Sequence, residues 1–298
     1  MIMLMAYLAI QAKPRVLNAH TLLEIIKVRM VVGPSTIISA LSGMGVVASS
    51  YLLPLGVAVY TYFGGLRATY LMTEYVHTFV NMIILCWFTI KVLNIEEIGS
   101  LDALYDAVAR VDTTNPVPGN CQDSHLTMRS EQCLFFGTLH VTGNIGAVIM
   151  DTGLWQKGFS ADFAAVVLGY VLGGVASFSA PWAFGTIVGL AGLALQSSPS
   201  WPMFPNPMSS TKVSAGLVLP YVAQTVAGKA GAAAILLVIF MSTTSIASAQ
   251  MIVTSSIISF DLYGTYINKS PSNTQLLKWS HFGVISTSLF ISTLATWI

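Results

Sequence analysis

Charge is scarce in this chain. Thirteen Lys and Arg and 12 Asp and Glu are spread over 298 residues, 8% of the total. A soluble domain carries about a quarter, so this scarcity excludes a water-soluble globular fold. The net charge of +1 excludes bulk attraction to nucleic acid. Cysteine is nearly lacking as well: there are three, Cys86, Cys121 and Cys133, and no spacing among them fits a zinc site. Cys86 lies in an apolar stretch and reads as packing. Cys121 and Cys133 share one polar loop and would pair if that loop faces an oxidising side. No cleavable leader is expected, because Met1–Ala12 has no positive start and no small-residue cleavage site. It reads as the tail of a spanning helix. What fills the chain instead is apolar: 54% of residues are hydrophobic and the mean hydropathy is +0.73, the mark of a polytopic membrane protein.

Lys13, Arg15, Lys27 and Arg29 make Gln11–Met30 basic and place it in the cytoplasm. Val31–Met44 is apolar but short, about 21 Å as a helix against a core of about 30 Å. Spans are predicted over Gly45–Phe63, with a kink at Pro54, and over Ala68–Leu93 after a tight basic turn, Gly64-Gly65-Leu66-Arg67. Residues Asn94–Cys133 form a long loop with seven acids against two arginines, which suits the outside. Leu134–Trp155 and Ala161–Leu195, the latter kinked at Pro181, are the next spans. A Pro-rich external loop, Ser197–Lys229, leads to Gly231–Asp261 and a final span, Trp279–Ile298. Arg67, Lys157, Lys269 and Lys278 then all fall inside. One conflict remains: Arg29 and Arg67 both inside require two spans between them, and only Gly45–Phe63 is long enough.

Gly231–Asp261 organises the rest. It carries no charge before Asp261, and Ser242, Thr243, Thr244, Ser245 and Ser248 crowd its middle. Lipid offers hydroxyls no partner. Either they bond back to the preceding turn and hold helices together, or they line a cation or solute site. Ile239, Ser242 and Thr243 stand at i, i+3, i+4, which places a backbone carbonyl and two hydroxyls on one face. Neutral oxygens at that spacing suit Na⁺ and do not suit a transition metal. Asn144 and Asp151 share a face of Leu134–Trp155, among Gly143, Gly146 and Gly153. A helix so easily bent is where transporters bind solutes, and an intramembrane Asp is a functional candidate; its plain alternative is an acid paired with Lys157 or nearby Ser and Thr. Trp155 would wall such a site or anchor the interface. Glu74 and His77, three apart, would relay protons, draw cations to an inner vestibule, or snorkel as a polar pair. His20, His125, His140 and His281 are scattered and receive no role. An intramembrane protease would need paired groups at matched depth, and Asp151 is the only deep acid, so no enzyme is expected.

With those pieces placed, the chain resembles the sodium:solute symporter family, specifically its fungal and plant urea active transporters. The matching segments are PRVLNAHTLLEIIKVR, YLLPLGVAVYTYFGGLRATYLMTEYVHT, HLTMRS, NIGAVIMDTGLWQK, VSAGLVLP and MSTTSIASAQMIVTSSIISFDLYGTYIN. The resemblance implies a LeuT-like fold of two inverted repeats with alternating access. The fold class expected is therefore an all-α polytopic membrane protein, a partial LeuT-like bundle of about seven transmembrane helices with one further short or lost helix. It would form a single membrane domain over 1–298: residues 1–95 as the remnant of the first repeat, 96–133 as the external acidic loop, and 134–298 as most of the second repeat. The resemblance further implies a sodium site at Ser242, Thr243 and the Ile239 carbonyl, a substrate-pocket position at Asn144, and an inner ion-exit position at Glu74, where the family usually has Asp.

The function implied is secondary transport of urea, with polyamines as another solute class, across the plasma membrane. No cofactor is expected beyond Na⁺ or H⁺ as coupling ion; the partners are a small polar solute and membrane lipid. Urea is neutral and planar and needs matched donors and acceptors, which Asp151, Asn144 and the hydroxyls would supply. The family's first core helix, most of its third and its tenth have no counterpart here, so a truncated product is expected. The alternative is a non-transporting isoform that regulates a full-length relative.

Overall fold

A computed structural model describes residues 34–127, 129–160 and 162–297. The basic segment Gln11–Met30 and the helix tail Met1–Ala12 lie outside the described residues. Among the described residues there are helices and no strand, as expected where backbone polar groups must be satisfied within each segment. Among the described residues, five stretches are long and apolar enough to cross a membrane: Val46–Gly65, Tyr75–Leu93, Cys133–Met150, Ala164–Leu195 and Val218–Ile267.

In order, the helices are α1 (34–42), α2 (Val46–Thr69), α3 (Thr78–Leu93), α4 (Leu101–Thr114), α5 (Glu131–Met150), α6 (Thr152–Ser160), α7 (Phe163–Leu195), α8 (Ser210–Ser214), α9 (Val218–Ser256) and α10 (Asn273–Trp297). Two π-helical segments, Tyr70–His77 and Ile257–Ile267, follow α2 and α9. The chain divides into two compact units, Met1–Thr78 with Ile239–Ile298, and Phe79–Val238.

In the first unit α10 packs along α2 and against the π-helical segment after α9. Val57, Ala58, Met251 and Val284 form its buried centre, with Tyr60 and Ala247 around them. Small residues let these helices approach closely. A Cβ on Gly283 would lie 2.7 Å from the Cα of Ser255. Van der Waals contact between helices is what drives association in lipid, and only small residues permit it at that range. Serine and threonine line the same seams: Ser255, Thr287, Ser288 and Ser292 are buried, and Ser280 Oγ donates to Ser255 Oγ at 3.3 Å. The hydroxyls explain why α10, read in the sequence as a span, is less apolar than the five stretches above despite its 25 residues. Within the short Val31–Met44 run, residues 34–42 form α1, which ends before Gly43 (φ 73°); residues 31–33 lie outside the described residues. The predicted kink at Pro54 is not where α2 is interrupted: the non-helical residue is Gly65, at φ 52°, inside the predicted turn. That backbone is open to glycine at little cost.

The second unit corrects four expectations. The acidic loop is not irregular throughout. Ser100 accepts from the Ala103 N–H and caps α4, whose Leu104 and Val108 are buried, and α4 packs on α7. The Leu134–Trp155 span is not one helix: α5 stops at Met150, Asp151 takes extended backbone (φ −80°, ψ 98°), and α6 begins at Thr152. Helix α7 continues through Pro181. Helix α9 starts at Val218, well before the predicted Gly231, and bends at Ala227 and Gly228.

Candidate functional site

Two groups of predicted residues fall in different units. In the first unit, Ile239, Ser242 and Thr243 lie on successive turns of α9. The Thr243 hydroxyl donates to the Ile239 carbonyl at 2.7 Å. Thr244 does the same to Phe240 and Met241, at 2.9 and 3.0 Å, and Ser248 to Ser245 at 2.9 Å. Thr243, Thr244 and Ser248 are all buried; Ser242 is half-buried. Committing its hydrogen to a carbonyl leaves each hydroxyl oxygen with lone pairs, whereas the Ile239 carbonyl also accepts from the helix backbone and has both of its own engaged, so the hydroxyl oxygens are the more open to a cation. The back-bonded helix is thus compatible with both sequence readings, helix support and a cation ligand set.

A residue that sequence reasoning missed sits beside this belt. Tyr60 of α2 donates from its hydroxyl to the Thr244 carbonyl at 3.1 Å. The Thr244 carbonyl therefore holds α9 to a helix 184 positions away in the sequence. No local pattern could have signalled it.

In the second unit, Asp151 and Trp155 organise the helix break. Asp151 Oδ1 accepts from the Gly153 N–H at 2.8 Å, so the acid caps α6; the side chain of Lys157, its expected alternative partner, lies outside the described residues. The Trp155 indole N–H reaches across to the Ile149 carbonyl at 2.9 Å, satisfying one of the orphan acceptors at the end of α5. The rest of the indole is exposed at 53%, and its ring stacks on Phe159. Asp151 and Trp155 are thus brought together around one interruption. Asn144 lies in α5, and Glu74 belongs to the first unit, in the π-helical segment Tyr70–His77; their side chains lie outside the described residues. Half-buried His77 has its Nδ1 enclosed without a hydrogen-bond partner.

His125, given no role in the sequence, anchors the acidic loop. Its Nδ1–H donates to Asp112 Oδ1 at 2.6 Å and its backbone N–H to the same oxygen at 2.9 Å. Ser124 Oγ donates to Asp112 Oδ2 at 2.5 Å. Burial alone would raise the Asp112 carboxyl; the three hydrogen bonds and the His125 ring outweigh it and hold the group below the usual aspartate value. Among the described residues, no group of three His, Cys, Asp or Glu is arranged to hold a metal ion.

A profile of the Sodium:solute symporter family matches residues 10–298. "Probable urea active transporter 1" of Schizosaccharomyces pombe is 40% identical over 99% of this chain and 48% of its own length. "Urea active transporter" of Saccharomyces cerevisiae is 38% identical over 96% of this chain and 42% of its own. "Urea-proton symporter DUR3" of Oryza sativa subsp. japonica is 32% identical over 99% and 45%. The chain therefore spans about half the length of the curated relatives it matches. No solved structure matches it. With its all-helical build, its five apolar stretches and a match over nearly its whole length, the chain is a multi-pass membrane protein that belongs to the sodium:solute symporter family.

Proposed function

We propose that the chain forms part of a secondary transporter, not an enzyme, that carries urea across the plasma membrane on a Na⁺ or H⁺ gradient. The observation that carries this is the 40% identity, over 99% of the chain, to a protein named as a urea active transporter. The geometry supports it in two places. The interruption at Asp151 leaves irregular backbone within an otherwise apolar run, a feature tolerated in membranes where it is buried in protein or lines a cavity. The belt at Ile239, Ser242 and Thr243 offers neutral oxygens of the kind a hard monovalent cation takes. In this reading Asn144, Asp151 and Trp155 meet the solute, Glu74 lies on the inner ion path, and residues 94–133 face outward because they carry seven acids against two arginines.

The test is uptake of labelled urea in yeast lacking its own urea transporter. The chain is expressed alone and within a full-length relative in which it replaces the matching segment; uptake above the empty vector from either carries the reading, and uptake from neither removes it. Thr243→Val, which keeps shape but removes the hydroxyl, raises the half-saturating concentration of the coupling ion about tenfold, equivalent to roughly 1.4 kcal/mol. Replacing Na⁺ at fixed pH and changing pH at fixed Na⁺ identify the ion. Unchanged ion dependence in both Thr243→Val and Ser242→Ala removes the ion role. Excess polyamine that leaves urea uptake untouched removes polyamines as solutes.

A further inference from the structure

The loop between α4 and α5 holds two of the three cysteines, and its geometry gives them a use. Cys121 N–H donates to the Arg129 carbonyl at 2.9 Å, so the chain returns to Cys121 just before α5 begins. The Thr127 hydroxyl donates to the Cys121 carbonyl at 2.9 Å, and Asn120 Nδ2 to the Ser124 carbonyl at 2.9 Å, closing the intervening residues into a tight capsule. Ser130 then caps α5 by accepting from Cys133 N–H at 3.0 Å, which places Cys133 in the first helical turn. Cys121 and Cys133 are both free and exposed, and both line one open hollow of about 800 Å³, with Arg129 and Ser130 between them along its wall.

We propose that Cys121 and Cys133 form an intramolecular disulfide that fastens the capsule to the first turn of α5. This rests on the reading above that residues 94–133 face outward, where oxidants persist. A disulfide needs Cα atoms about 4.4–6.8 Å apart, so the bond forms when the two exposed cysteines on this hollow come within that range. The oxidant is a disulfide, either of a dithiol oxidoreductase or of low molecular weight. The thiolate of Cys133 attacks one of its sulfurs, forming a mixed disulfide and expelling one thiolate. The thiolate of Cys121 then attacks the Cys133 sulfur, forms the protein S–S bond and expels the second. Two protein thiols lose two electrons and two protons, and the oxidant becomes two thiols.

The bond would close a chain of restraints. Asp112, in α4, already holds Ser124 and His125; a Cys121–Cys133 link extends that hold to the outer end of α5, the helix that leads to Asp151.

The experiment uses the full chain in the Cys86→Ser background, expressed in yeast. A non-reduced digest is expected to yield one linked species containing both cysteine peptides, two hydrogens below their summed mass. A membrane-impermeant maleimide on intact cells is expected to add no label before reduction and two after it. With Cys121→Ser added, Cys133 takes one label without reduction. Two labels on unreduced intact cells, with the peptides found separately, overturn the bond while leaving the loop outside. Label only after permeabilisation, with the peptides separate, overturns both the bond and the outward orientation. A linked species between two copies, seen as a dimer lost on reduction, overturns the intramolecular assignment.

Discussion

The hydroxyl belt of α9 and the Asp112 loop both bury polar side chains, and they satisfy them by opposite means. Thr243, Thr244 and Ser248 each turn to a carbonyl three or four residues earlier on their own helix. Asp112 gathers donors from residues 12 and 13 positions away. In the apolar helices, the backbone of the previous turn is the partner always within reach, so satisfaction is local and leaves neighbouring helices free to meet through small residues. In the loop, a side chain must recruit its partners through the fold, and those partners then define it.

The contrast predicts where damage is greatest. Gly283→Ala puts a methyl 2.7 Å from the Ser255 backbone, which has nowhere to retreat without separating α10 from α9. A loss of about 3 kcal/mol is expected, the upper part of the range for overpacking, and thermal unfolding in detergent reads it. Asp112→Asn removes a charge-assisted network, for about 2 kcal/mol locally. Faster amide exchange across 115–127, with exchange in α9 unchanged, is the expected signature; equal acceleration in both regions would erase the distinction drawn here.

The same network gives a pH signature. The Asp112 carboxyl is held below its ordinary value of 3.8, so its contribution is complete at neutral pH and fades as pH falls from about there through the lower folded value. Loop protection measured by exchange should fall over that acid range alone. Tyr60→Phe removes the tertiary hydrogen bond to the Thr244 carbonyl and should cost about 1 kcal/mol. Thr244→Val removes only back-bonds and should cost about 0.5 kcal/mol. A Thr244→Val loss exceeding that of Tyr60→Phe would mean that the belt relies on something beyond its own helix.

Much of this was legible in residue order, for reasons of scale. Apolar runs of 18 or more residues and five hydroxyls in seven positions are local signals, and they located the spans and the belt. The helix α4 was hidden by its acids, although Ser100 before Leu101, Leu104, Tyr105 and Val108 spells a capped amphipathic turn. The break at Asp151 was half visible: Gly143, Gly146 and Gly153 marked a bendable helix, but only the Asp151–Gly153 hydrogen bond fixes where it parts. The π-helical segments could not be read, since one extra residue per turn barely alters an apolar pattern. Tyr60 and Thr244 lie 184 positions apart, beyond any window of sequence, and Asp112 with His125 depends on a chain reversal that no periodic pattern marks.

The apolar stretch Ala164–Leu195 runs 32 residues, about 48 Å of helix at 1.5 Å per residue, and a hydrocarbon core spans only about 30 Å. The surplus of about 18 Å must be taken up by tilt or carried into water. Val188, Ala191 and Leu195, near its end, are buried, and α7 is the helix on which α4 rests. The overlong rod thus works as a mast: any change in its lean would swing the acidic cap at its tip, turning membrane thickness into a displacement at the surface.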